Sequence, residues 1–183
     1  MSHADTVNRA KLLRRYRMVL GAFAIALVLS GATAFPLRWE LDLLTRLLGV
    51  APNAQPERLS GLVEWLVRVR NALRATDLKY PFLAYGYDWL AFAHLVIALA
   101  YVGPYRDYRD PVRNRWVLEW GMICCVAVFP LAFICGPLRG IPLYWQLIDC
   151  CFGVFGLPPL YLCWKWSKEL EGVKESQNAS TSL

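Results

Sequence analysis

Histidine is scarce in this chain: His3 stands near the start and His94 inside a long apolar run, and there is no third. A bis-histidine haem or a zinc site with several imidazoles therefore cannot be built within one chain. No Cys-x-x-Cys pair occurs either. The six cysteines, Cys124, Cys125, Cys135, Cys150, Cys151 and Cys163, include two adjacent pairs, a spacing that argues against a membrane thiol oxidoreductase. They are expected to act as small apolar filler, with Cys135 and either Cys150 or Cys151 as the pair best placed for a structural disulfide. No catalytic or cofactor motif is present, so no catalytic residue, cofactor or metal is assigned.

Apolar length is what the chain has. Residues 18–36, 82–103, 116–136 and 143–164 are four runs, each long enough to cross a hydrocarbon core of about 30 Å as a helix rising about 1.5 Å per residue. The fold class expected is all-α: a polytopic membrane protein, a four-transmembrane-helix bundle. The spans and their connections use most of the 183 residues, leaving one membrane domain over 1–183 with no separate soluble domain. Small-residue spacing in the first run, with Ala22, Ala26, Ser30 and Ala34 at every fourth position, points to a face for close helix approach. A competing reading takes the first run as a signal sequence cleaved after Ala32-Thr33-Ala34; the retained span is preferred.

Basic residues set the orientation. Twelve of the 20 Lys and Arg lie in the N-terminal arm, the second connection and the tail, and the remaining eight lie on the opposite side. Lys and Arg are retained inside, so both termini are expected in the cytoplasm of a cell-membrane protein, with a cytoplasmic tail at 165–183. The formal charge of +6 calls for no nucleic-acid partner, because basic residues beside spans meet anionic headgroups. The lipid bilayer is the expected partner, joined by a membrane-protein partner or a second copy.

The connection at 37–80 is expected outside as an amphipathic insert of two short helices lying on the membrane. Leu41, Leu44 and Leu48 share a face of the first, with Gly49 as its stop; 51–56 is a turn; Leu62, Leu66, Val69 and Leu73 line the second, where Glu64 and Arg68 can pair four apart. Trp116, Trp120, Trp145, Trp164 and Trp166 fit an aromatic belt. Glu119, four residues after Arg115, is expected to pair or snorkel at the inner boundary. Pro130 and Pro158-Pro159 should kink their helices. The repeated Tyr-Arg-Asp at 105–110, between Pro104 and Pro111, should form a compact turn with internal ion pairs; a partner or lipid site there ranks second. Asn178-Ala179-Ser180 matches a glycosylation acceptor that a cytoplasmic tail would leave unused.

Polar groups inside the runs carry the functional signal, since each costs about 2.5–3.5 kcal/mol at mid-bilayer on insertion scales. Helical phase puts Ala84, Tyr87, Asp88, Ala91, His94, Leu95 and Ala98 on one arc of the second span, opposite Trp89, Phe92, Val96 and Ile97. On the fourth span Asp149 shares a face with Trp145, Gln146, Phe152, Gly153 and Gly156. The candidate polar cavity is therefore Asp88, His94, Arg139, Gln146 and Asp149, with the carboxylates at one depth and His94 deeper. The competing account is structural: these groups pair with one another or with Arg38 and only fix helix register. The function expected is a non-enzymatic accessory subunit or small-ligand-binding bundle. The alternative is a small transporter or outer-leaflet enzyme using Asp88, Asp149 and His94.

Overall fold

The computed structural model describes residues 3–181, with side chains from 6 to 172. Among these residues every regular element is helical: α1 (His3–Ala34), α2 (Leu37–Leu47), α3 (Gly61–Lys79), α4 (Ala84–Ala100), α5 (Val102–Arg106), α6 (Arg115–Leu138) and α7 (Leu143–Thr181), with 3-10 turns at Pro56–Arg58 and Pro81–Leu83. Four stretches, Thr6–Ala34, Pro81–Arg106, Arg115–Leu138 and Leu143–Gly172, are long and apolar enough to span a membrane. The helices run further than hydropathy alone implies. The basic arm belongs to α1 because Ala, Leu, Lys and Arg between residues 9 and 17 are all good helix formers with no breaker among them. α7 likewise continues past residue 164 through the expected tail. The side chains of Asn178, Ala179 and Ser180 lie outside the described residues. Pro130 lies inside α6 and Pro158-Pro159 inside α7, and both helices continue beyond them.

Packing groups the residues into two compact units, one made of Met1–Ala26 with Ala98–Leu183 and the other of Leu27–Ile97. The first unit is organised by the α6–α7 hairpin, whose helices pack along their length. On α7 the buried positions are Gln146, Cys150, Gly153, Gly156, Leu160, Cys163, Ser167 and Leu170, a run of three- and four-residue steps that keeps one seam turned to its neighbour. Facing it on α6 are Leu118, Gly121, Cys125 and Gly136. Glycine makes the approach close. A methyl group on Gly153 would collide with the Cys125 carbonyl oxygen, one on Gly156 would sit 2.8 Å from Cys125 Sγ, and one on Gly136 would sit 2.7 Å from the Gln146 side chain.

Polar clips close both ends of that seam. At the turn, Gly140 has φ of +68°, the Gly136 carbonyl accepts from the Arg139 and Ile141 amides at 3.0 Å, and Gln146 Nε2 donates to the Ile141 carbonyl at 2.7 Å. At the far end Arg115 donates to Glu171 at 2.6 Å and to Ser167 Oγ at 3.0 Å. Glu119 does not take Arg115 as its neighbour in sequence suggests; it accepts from the Trp164 indole at 2.9 Å, because Arg115 is drawn across to α7. The first part of α1 packs in this unit through Tyr16 and Leu20, with Cys163 Sγ 3.8 Å from the Tyr16 carbonyl and Phe23 edge-on to Tyr101 at 5.1 Å. All six cysteines are free thiols.

In the second unit α2 packs on α3. Gly49, at φ of +73°, follows α2 where the leucine pattern puts its stop, and Glu64 pairs with Arg68 at 2.7 Å. The contact face differs from the leucine stripes. Leu44 and Leu48 are exposed, whereas Leu41 and Thr45 are buried against α3 residues Leu66, Val67 and Arg70. A buried guanidinium explains the shift: Arg70, 1% exposed, donates to Thr45 Oγ1 at 3.0 Å, to the Pro52 carbonyl at 3.1 Å and to Asn71 Oδ1 at 3.2 Å. Burial pulls its affinity for the proton below the ordinary guanidinium value, Arg74 adds repulsion and Asp42 offsets part of both. The small-residue stripe of α1 also corrects the expectation, since Ala22 and Ala26 are exposed while Leu27 and Gly31 are buried. Gly31 is the position of close approach, where a Cβ would lie 2.9 Å from the Ala91 carbonyl and from His94 Cβ.

These contacts separate two glycines by sign. Gly153→Ala is expected to destabilise by about 1–3 kcal/mol, the usual range for overpacking, because the added methyl meets backbone. Gly86→Ala in α4, with nothing within 4 Å of its new Cβ, should instead stabilise by roughly 0.5–1 kcal/mol. Thermal unfolding of the two purified variants beside the parent chain measures both, and equal shifts would refute the glycine seam.

Candidate functional site

The residues expected to form a polar cavity fall in both units, and each unit holds its own arrangement. In the Leu27–Ile97 unit, α4 turns Ala84, Tyr87, Asp88, Ala91, His94 and Leu95 to its less exposed side, while Trp89, Phe92 and Val96 are exposed, as helical phase requires; Ile97, expected with them, is half-buried. Asp88 lines a recess of 260 Å³ whose other walls are Phe35, Tyr85, Trp89 and Phe92. Spacing on α4 builds three of these walls: Tyr85 meets Trp89 edge-on at 5.9 Å, and Trp89 meets Phe92 in the same way at 5.9 Å. A carboxylate beside aromatic side chains attracts a cation by charge and by ring quadrupole together.

His94 lies six residues further along α4, with Nδ1 2.9 Å from the Leu90 carbonyl oxygen. A carbonyl only accepts, so Nδ1 carries the proton in this contact. Its Cβ is held against Gly31 of α1, which fixes the ring's origin on the helix.

In the other unit Arg139 and Asp149 line one recess of 290 Å³ together with Leu131, Cys135 and Ile141. Gln146 has a different role. It is buried, it donates to the Ile141 carbonyl, and its side chain packs on Gly136, so it is a clip for the hairpin and not part of the recess wall. No protein-family model, curated protein or solved structure matches the chain.

Two features escaped the sequence reading. The aromatic lining around Asp88 was hidden because Phe35 comes from the turn after α1, and because Tyr85, Trp89 and Phe92 look like ordinary lipid-facing residues one by one. Buried Arg70 was hidden among six other basic residues of the 37–80 connection, and its partners are neutral oxygens that no charge pattern reveals. The signal available was Thr45, a polar residue at the i+4 position on an otherwise leucine face.

Neither Asp88 nor Asp149 has a hydrogen bond or ion pair among the described residues. Asp88→Asn and Asp149→Asn should accordingly leave folded yield intact and shift stability by no more than about 0.5 kcal/mol, the usual bound for substitutions outside a network. Gln146→Ala should cost about 1–3 kcal/mol, because it strands the Ile141 carbonyl. Yield and melting temperature of the three variants decide this, and a large loss for either aspartate variant would mark that carboxylate as a register-fixing group.

Proposed function

We propose that the chain is a multi-pass cell-membrane protein, a non-enzymatic bundle that binds a small cationic or amine-bearing ligand at the Asp88 recess. What carries the proposal is the composition of that recess, one carboxylate among Phe35, Tyr85, Trp89 and Phe92. Such a lining suits a quaternary or primary ammonium, which is attracted by ring faces and balanced by one negative charge.

The membrane setting is supported by the surface. Ile25, Leu29, Val96, Leu99, Ile123, Ile134, Val154 and Phe155 are exposed on the four apolar helices, and apolar contact of this extent is stable only against hydrocarbon or another protein. The excess of Lys and Arg near the N-terminal arm, the α5–α6 connection and the end of the fourth span supports cytoplasmic termini. The α2–α3 segment then lies outside, and the exposed Trp39, Leu43, Leu44 and Leu47 of α2 supply the apolar face of an insert resting on the outer surface. Asp88, at the start of α4, opens towards that same side.

Calorimetric titration of the purified chain with tetramethylammonium tests the binding. Asp88→Asn should weaken it about tenfold, a loss of about 1.4 kcal/mol, and Trp89→Leu should weaken it by about 1 kcal/mol. Equal affinity in the parent and Asp88→Asn would end the ligand assignment, and ammonium flux into sealed vesicles driven by a pH gradient would show a transporter instead. For topology, Asn53→Cys should react with an impermeant maleimide in intact cells, and Arg113→Cys only after permeabilisation. The reverse order would invert the orientation.

A further inference from the structure

Two cavities of 540 and 490 Å³ adjoin around Tyr108 in the Met1–Ala26 and Ala98–Leu183 unit, sharing Arg17, Tyr108 and Arg109 in their walls. Arg9 and Arg14 of α1 complete the first, and Arg106 and Arg113 complete the second. Among the described residues six guanidiniums and two carboxylates, Asp107 and Asp110, line these cavities, so four positive charges are in excess; Asp107 also accepts a hydrogen bond from Asn114 at 3.1 Å. Tyr108 orders the cluster. The Arg17 guanidinium lies 4.6 Å from its ring centroid and 4.9 Å from that of Tyr105, while Arg109 lies 5.8 Å from the Tyr108 centroid and donates to its hydroxyl at 3.4 Å. The local field is strongly positive: hydrogen bonding and charge from Arg109, with a further contribution from Arg17, hold the Tyr108 hydroxyl below its ordinary value.

We infer that these adjoining cavities are a binding site for the phosphate headgroup of an anionic phospholipid. Guanidinium forks match phosphate oxygens two at a time, and stacking on Tyr105 and Tyr108 fixes the Arg17 plane before the ligand arrives. The phosphate could also come from a soluble polyphosphate. The wall favours lipid, because Ala10 and Leu13 line the first cavity beside the arginines and the apolar run of α1 begins directly after Arg17, so headgroup and acyl chain meet matching surfaces at once. Arginines on both sides of Tyr108 suit a headgroup with more than one phosphate, or two neighbouring lipids. The inference rests on the proposed membrane insertion, which alkaline carbonate extraction tests separately: a chain released by carbonate fails insertion, whatever its lipid preference.

The test is native mass spectrometry of the full chain taken from nanodiscs of phosphatidylcholine alone or mixed with phosphatidylglycerol or cardiolipin. The parent chain should retain the anionic lipid in preference to phosphatidylcholine. The combined Arg14→Gln, Arg17→Gln and Arg109→Gln variant should lose that preference about a hundredfold, from roughly fivefold for each basic residue near an anionic surface. Arg46→Gln, Arg58→Gln and Arg68→Gln together, in the α2–α3 segment, should leave it unchanged. If the glutamine variant does not fold, the corresponding Arg→Lys triple keeps the charge and removes the fork; it should cut retention several-fold, and unchanged retention would overturn the site. Indifference of the parent chain to lipid charge would overturn it also. Binding of inorganic pyrophosphate with the same arginine dependence, and no retained anionic lipid, would replace the lipid with a soluble phosphate.

Discussion

Large apolar side chains lie mostly on the outside of this protein. Its buried hydrophobic set is small, Tyr16, Leu20, Leu27, Val67, Ala91, Tyr101, Leu118 and Leu160 among it, whereas exposed Leu, Ile, Val, Phe and Trp run the length of the four apolar helices. In water such a surface would drive association; against hydrocarbon it costs nothing. The rest of the architecture follows from that constraint. In the proposed bilayer setting lipid tails are as apolar as leucine, so no hydrophobic force would draw one helix to another, and contact would come from close van der Waals packing and hydrogen bonds. The α6–α7 hairpin meets both requirements, with glycines 136, 153 and 156 bringing backbone to within touching distance of Cys125 and Gln146. Its hydrogen bonds sit at the two ends, where water can reach the remaining valences.

Charge is handled by the same logic. Asp88 and Asp149 line recesses open at the surface and are not sealed in the seam, so neither needs a partner to be tolerated. Arg70, which is sealed, is surrounded by oxygen acceptors from Thr45, Pro52 and Asn71. Among the described residues the arginines around Tyr108 outnumber the carboxylates that line the same cavities, and the anionic headgroup proposed there would complete the cluster.

The all-helical class, the four apolar helices and the phase of α4 were legible in the sequence because each is a periodic property, and periodicity survives any change of environment. Gly49 and the Glu64–Arg68 pair were legible for a related reason: both are local, set by backbone conformation or one helical turn. Partners distant in sequence were not. Glu119 meets Trp164 and Arg115 meets Glu171, 45 and 56 residues away, and nothing in a one-dimensional pattern ranks those above the neighbour four positions along. The alanine stripe of α1 misled because small residues permit close approach without requiring it; Ala22 and Ala26 face outward, and Gly31 makes the contact.

The exposed apolar faces are proposed to meet hydrocarbon, and side-chain environment tests this most directly. Nitroxide labels placed one at a time at Ile25, Val96, Ile134 and Phe155, all exposed on apolar helices, can be read in lipid vesicles by collision with molecular oxygen and with a water-soluble nickel chelate. High oxygen and negligible nickel accessibility are expected at all four, with the opposite at Asn53 in the α2–α3 connection. Nickel accessibility at the four helix positions equal to that at Asn53 would contradict it.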